Sequence, residues 1–200
     1  EYLVFYIFIP YFLINFLLIT FFVTKISFAQ KPAFGVKAGI ALSNATINYT
    51  EPSSLKNYTK TSVVAGVFAD ISLGKEVFFR PGAEIVSKGV RQKYEGSSYN
   101  FPITFTYIDF PLNVIYRKKS GKGHLVAGGG PVIGVPINDS YNQYGLQTEV
   151  SINGLVEYEL PIGFSVNFNY TYGLNNASKD NQFISKISNR YLGITVGYTF

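Results

Sequence analysis

The stretch FSVNFNYTYGL, residues 164–174, alternates apolar and polar side chains without a break. A helix would repeat its apolar positions three and four residues apart. A period of two instead places Phe164, Val166, Phe168, Tyr170, Tyr172 and Leu174 on one face of a strand, with Ser165, Asn167, Asn169 and Thr171 on the other. The same period recurs to either side, over residues 34–43, 63–73, 77–88, 107–117, 149–160 and 190–200. An eighth run, 124–137, is rich in Gly and Pro and its facing is ambiguous.

Eight amphipathic strands of about ten residues suit a tilted crossing of a membrane. The links agree. Gly74-Lys75, Lys118–Gly123 and Pro161–Gly163 are tight, whereas 44–62, 89–106, 138–148 and 175–189 are long, polar and rich in Asn, Ser and Tyr. Short and long links in strict alternation are the mark of an up-and-down barrel with short periplasmic turns and longer outer loops. The fold class read from the sequence is therefore all-β, an eight-stranded antiparallel up-and-down transmembrane β-barrel. Its apolar faces end in Phe34, Phe79, Tyr116, Phe164, Tyr172, Tyr198 and Phe200, as interface girdles do. Val67, Phe79, Leu112, Phe168 and Val196 should point outward, and Asp70, Glu84 and Asp109 inward. The runner-up class, a soluble lipocalin-like binding barrel, shares the strand count but turns its apolar face inward.

Ahead of the barrel, residues 2–24 carry no charge, and Ser27-Phe28-Ala29 supplies a small-x-small tripeptide. That is the pattern of a secretory signal cleaved after Ala29, with a retained anchor as the alternative. The chain opens on Glu1 with no basic stretch before the apolar run, as a mis-started or truncated signal would. The domain plan is thus 1–29 signal peptide and 30–200 outer-membrane barrel.

Composition narrows the chemistry. Charged residues are 14% of the 200, aromatic residues 17%, and the net charge is +5. A soluble domain carries roughly 25% charge, and a disordered chain more charge and fewer aromatics. With no Cys and a single His, a disulfide scaffold, a thiolate metal site and a cysteine nucleophile are excluded. That His, His124, adjoins the basic run Arg117–Lys122 in an expected turn and has no evident partner for base catalysis. Gly128-Gly129-Gly130 does not fit a phosphate-binding loop, and Glu157 with Glu159 falls short of the oxygen ligands that Ca²⁺ needs. No catalytic residue, cofactor or metal site is expected, and no nucleic-acid partner.

The faces opposite the apolar ones hold Gly and charges of both signs. Lys37, Asp70, Arg80, Glu84, Asp109, Arg117, Glu157 and Glu159 form the candidate lumenal charge network. An eight-stranded interior is just wide enough for side chains to fill it, so opposite charges should pair there as a plug. The long outer loops carry Tyr49, Tyr58, Tyr94, Tyr99 and Phe101, aromatic anchors of the type that dominate interfaces. The function expected is that of a non-enzymatic integral outer-membrane protein acting through its loops. An accessory component of a secretion apparatus and a narrow pore are the other readings.

Four segments, FGVKAGIALSN (34–44), FFRPGAEIVSKG (78–89), YIDFPLNVIYR (107–117) and the terminal YLGITVGYTF (191–200), taken in order, make the chain resemble the PorT-like outer-membrane β-barrel proteins of Bacteroidota. The resemblance implies an outer-membrane location in contact with outer-membrane lipid and insertion by the barrel-assembly machinery. It implies no common ligand; any protein partner is unknown. Some relatives serve protein secretion. It also implies that Phe200 is part of an assembly signal, although an ordinary last lipid-facing aromatic would look the same.

Overall fold

The computed structural model describes residues 31–49, 55–94, 99–139, 145–178 and 184–200. The expected signal segment and its cleavage after Ala29 lie outside the described residues, as does the side chain of Tyr49. Among the described residues there are nine strands: β1 Ala33–Tyr49, β2 Leu55–Tyr58, β3 Lys60–Ser72, β4 Val77–Tyr94, β5 Asn100–Ser120, β6 Gly123–Asp139, β7 Glu149–Glu159, β8 Phe164–Gly173 and β9 Ile184–Thr199.

Every pairing among the described residues is antiparallel: β1 pairs with β3, β2 and β3 both pair with β4, each strand from β4 to β8 pairs with the next, and β9 pairs with β1. That last pairing runs from Gly35 opposite Thr199 to Tyr49 opposite Ile184, and it closes β1, β3, β4, β5, β6, β7, β8 and β9 into a ring of eight. β2 prolongs β3 along β4, with a slip: Tyr58 faces Arg91, yet six residues on, Val64 faces Val86, only five residues back. A closed ring leaves no sheet edge, so the backbone groups along the strands are paired within the sheet.

Three links at one end are tight, 73–76, 121–122 and 160–163. Gly121, at φ +60°, supplies the left-handed residue that a two-residue hairpin turn needs. At the other end the strands are longer than the alternation alone suggested. β1 runs to Tyr49, β4 to Tyr94, β5 begins at Asn100 and β9 at Ile184, so much of 44–62 and 89–106 is strand, not loop. His124 likewise lies half-buried on β6, opposite Lys119 and Glu159, and only Gly121 and Lys122 make the turn.

The reason is a change of phase. In the half nearest the turns, apolar side chains face outward: Val36, Val67, Val114, Val156, Phe168 and Val196 are all exposed, and Phe79 and Leu112 are half-buried. Beyond about Leu42 on β1 and Leu192 on β9 the order inverts. There Asn44, Thr46, Asn48, Lys186, Ser188 and Arg190 face out, while Ala45, Ile47, Ile187 and Tyr191 are buried. The neighbouring strands follow suit, with Val86, Val90, Ile103, Phe105 and Tyr107 turned inward. These inner side chains form one apolar cluster under the long links, with Phe101 and Leu146 packed on it. The facing of β6 is also resolved: Leu125, Ile133 and Val135 point out and Val126 and Val132 point in.

Candidate functional site: a paired charge network inside the ring

Alternation decides which charges enter the ring. On β4, Arg80, Glu84 and Lys88 share the face opposite outward Ile85, so all three are buried. β3 contributes Asp70, β5 Asp109 and Asn113, and β7 Glu149, Asn153 and Glu157. A carboxylate or ammonium removed from water costs several kcal/mol after relaxation unless it finds a partner. Each of these does.

Arg80 is the hub nearest the turns. Its Nε and Nη2 donate to Asp70 Oδ1 and Oδ2 at 2.6 and 2.8 Å, a bidentate fork, and Nη1 donates to Glu157 Oε2 at 2.9 Å. Asn167 Nδ2 donates to the same Glu157 oxygen at 3.1 Å. Arg117 also pairs with Asp70, and its Nε lies 3.2 Å from Glu159 Oε2. Both guanidinium groups stack on inward aromatics, Arg80 on Phe68 at 4.4 Å and Arg117 on Phe78 at 4.6 Å. A β-carbon on Gly35 would lie 2.3 Å from the Phe68 ring, so that glycine makes room for the stack.

Higher in the ring, Lys37 Nζ meets Glu84 Oε1 at 2.7 Å. Lys88 Nζ donates to Asp109 Oδ1 and Glu149 Oε1, both at 2.9 Å, and sits 4.5 Å from the centre of the Tyr107 ring. Ser151 Oγ donates to Glu149 Oε1 at 2.8 Å, and Asn189 Nδ2 donates to Glu149 Oε2. A cavity of about 10 Å³, room for about one water molecule, is lined by Lys37, Arg80, Glu84, Asn113, Glu157 and Asn167.

All eight residues of the sequence-derived network therefore face the interior, as three cations among five carboxylates. The pairings are Lys37 with Glu84 and Arg80 with Asp70 and Glu157, not Arg80 with its own strand neighbour Glu84. Sequence reasoning left out Glu149 as a partner and the polar amides Asn113, Asn153 and Asn167. Glu149 precedes outward Val150, so its parity alone places it inside. It also missed the inward apolar side chains: Val64, Phe68, Ile115 and Val126 share the lumen with the charges, and Ile115, Val126 and Leu155 form a small cluster against Phe78.

The aromatic candidates fall differently. Tyr58, Tyr94 and Phe101 sit on β2, β4 and β5, strand positions where loop was expected, and Tyr99 just precedes β5. Tyr58, Tyr94 and Tyr99 are exposed, but Phe101 is half-buried on the apolar cluster, its ring 6.1 Å from that of Tyr94. Phe200 is exposed, donates its backbone N–H to the Phe34 carbonyl at 2.8 Å, and meets Tyr198 edge to face at 5.2 Å.

No group of three or more His, Cys, Asp or Glu side chains suited to a metal occurs among the described residues, and no helix there is long and apolar enough to cross a membrane. A family model described as outer membrane protein beta-barrel domain matches residues 28–179. Among solved structures, the outer membrane protein OprG from Pseudomonas aeruginosa is similar, at 13% identity and a TM-score of 0.55, over 84% of this chain and 95% of that one. Neisserial surface protein A aligns at 14% identity and a TM-score of 0.49, over 86% of this chain and 100% of that one. At such identities the likeness is one of fold. No curated protein sequence matches the chain.

Proposed function

We propose, for a chain that belongs to the outer membrane protein beta-barrel domain family, an integral outer-membrane protein without enzymatic activity, its lumen closed by paired charges and its outer end built for contact. The observation that carries this reading is the phase inversion along the strands. A wall that is apolar outside and polar inside suits lipid; a wall that is polar outside and apolar inside suits water. One strand set shows both, in that order from the turns outward. On β8 the outward band from Phe164 to Leu174 spans about 33 Å of strand at about 3.3 Å per residue. At a tilt of about 40° that is about 25 Å of height, the thickness of an outer-membrane apolar band.

A soluble lipocalin-like barrel would bury Val67, Phe168 and Val196; here they are exposed. A pore would need a watered axis, whereas Arg80 joins β4 to Glu157 on β7 across the interior. Within the family, the four quoted segments favour the PorT-like group of Bacteroidota, entry through a cleaved signal ending at Ala29, and insertion by the barrel-assembly machinery with Phe200 in the recognition signal. The exposed Tyr58, Tyr94 and Tyr99 at the outer rim would then meet a protein partner, with a role beside a secretion apparatus as one version of that contact.

The test is fractionation followed by a gel-mobility comparison of heated and unheated samples. The protein should remain in the membrane pellet without detergent, run as a compact heat-modifiable band, and give no large conductance steps in planar bilayers. Recovery in the soluble periplasm would overturn the membrane assignment, and large steps would overturn the closed lumen.

A further inference from the structure

Past the apolar band, the wall formed by β9, β1, β2 with the start of β3, and β4 is one-sided in charge. Residues 44–49, 55–62, 87–94 and 184–190 hold Lys56, Lys60, Lys88, Arg91, Lys93, Lys186 and Arg190, and not one Asp or Glu. Lys88 and Lys60 are buried. The others lie on the outer face: Lys186 and Arg190 share the parity of exposed Leu192 and Val196, Arg91 and Lys93 that of exposed Ile85, and Lys56 pairs with Lys93.

The register draws them into one patch. Arg190 lies between Tyr172 of β8 and Asn44 of β1, Lys186 faces Asn48 of β1, and Arg91 faces Tyr58 of β2. From β9 to β4 is three strand spacings, about 14 Å, and from Arg190 to Lys186 about 13 Å along the strand. No ion pair among the described residues joins Arg91, Lys93, Lys186 or Arg190 to a carboxylate.

Resting on the membrane reading above, we infer that this patch is a binding site for the anionic phosphate headgroups of the lipids that cover the band. Arg190 fixes the source. It is the first outward position after Leu192, where the apolar belt ends, and it is flanked by an exposed tyrosine at the same level. The first anions that this guanidinium can reach are those of the lipid covering Leu192 and Val196. An arginine fork binds phosphate bidentately, and lysines on the same strand and three strands away add point charges to further phosphates of the same headgroup layer. Among the described residues the opposite sector has no such patch: Ile133, Val135, Ile137, Val150 and Leu174 carry the apolar surface to the outer rim. Anionic lipid is thereby gathered on one side of the barrel.

The experiment uses the full mature chain folded into phosphatidylcholine vesicles doped with a photoactivatable phosphatidylglycerol, with adducts located by peptide mass spectrometry. Adducts should concentrate on the segments holding Arg91 and Lys93 and holding Lys186 and Arg190. The R91Q/K93Q/K186Q/R190Q variant should lose them by at least about tenfold, since each surface cation is worth about fivefold near an anionic leaflet. Adducts at the turn lysines, Lys118, Lys119 and Lys122, should not change. An unaltered pattern in the variant, or adducts at the turn alone, would overturn the site. Loss of adducts on adding inorganic phosphate, at concentrations comparable to the lipid, would show that free phosphate and not the headgroup is the ligand. The heat-modifiable band, read on the same vesicles, separates these outcomes from failure of the membrane reading: its absence sinks both.

Discussion

The guanidinium of Arg80 on β4 reaches the carboxylate of Glu157 on β7, Nη1 to Oε2 at 2.9 Å, across three strand intervals of the eight-stranded ring. The two residues are 77 positions apart in sequence. The same guanidinium holds Asp70 with its other edge. One side chain thereby ties three strands through the interior.

Arg80→Met should therefore be among the most damaging single changes in the lumen. It keeps the stem that lies on Phe68 but strands the carboxylate of Glu157, which is left with the amide of Asn167 alone. Breaking one partner of a buried pair costs about 3–5 kcal/mol. Urea titration of the folded band on unheated gels measures it. A loss below about 1 kcal/mol would mean that water already reaches the pair.

Glu84→Ala strands Lys37, whose side chain is 13% exposed, and should cost about 3 kcal/mol by the same gel assay. The double replacement Lys37→Met with Glu84→Leu should recover most of that, because an apolar pair in place of a buried ion pair is often neutral or better. A single replacement that left stability untouched while abolishing uptake or binding would make the charges functional rather than structural.

The band was legible in the sequence, and the outer extension was not, for one physical reason. Alternation reveals a strand wherever one face is apolar, and FSVNFNYTYGL or YLGITVGYTF do so without ambiguity. Beyond Leu42 the alternation continues through Asn44, Ala45, Thr46, Ile47 and Asn48, but its phase is reversed and its outer face is Asn and Thr, which also fill loops. Reading in a single phase turns those residues into loop. Parity placed Asp70, Arg80, Glu84 and Asp109 inside, since each sits between outward apolar neighbours. It could not pair them. That Arg80 meets Glu157 and not Glu84 depends on the stagger of the strands around the closed ring, which the hydrogen-bond register sets and no local pattern records.

Gly89 lies on β4 between the residues that pair with β2 and those that pair with β3, where the register slips. Its φ of +126° is open to glycine, and a β-carbon there would lie 2.1 Å from the Ile103 carbonyl oxygen. Its own carbonyl accepts from Ser43 Oγ at 3.1 Å. Gly89→Ala should cost about 1–3 kcal/mol from backbone strain, with the neighbouring strand forced to give as well. Gly154→Ala, where an added β-carbon meets nothing within 4 Å, is the control and should stay near wild type in the same urea titration.

Phe200 separates assembly from stability. Its ring contacts Tyr198 at the very end of β9, exposed on the outer face, so truncation removes little buried surface. Phe200→Ala should shift the folded barrel by less than about 1 kcal/mol in refolding assays, within the range of an aromatic pair. In cells, pulse-chase should show slower appearance of the heat-modifiable band. Equal rates for the two chains would leave Phe200 as an ordinary outward aromatic.

Depth along the wall is the most direct reading of where lipid ends. Phe168 lies midway along the outward face of β8 and Val67 midway along that of β3, both exposed in the apolar band. Arg at either site should cost about 2–4 kcal/mol in bilayers, as a cation at the midplane does. Ser188 shares the outward face of β9 but lies four residues beyond Leu192, past the inversion. Ser188→Arg should cost about 0–1 kcal/mol, the value for an interfacial or watered site. In a soluble barrel all three outward positions would be wet, and the three arginines would be equally harmless. A steep penalty at Phe168 and Val67 with none at Ser188 fixes the lipid boundary between Leu192 and Ser188, where Arg190 stands.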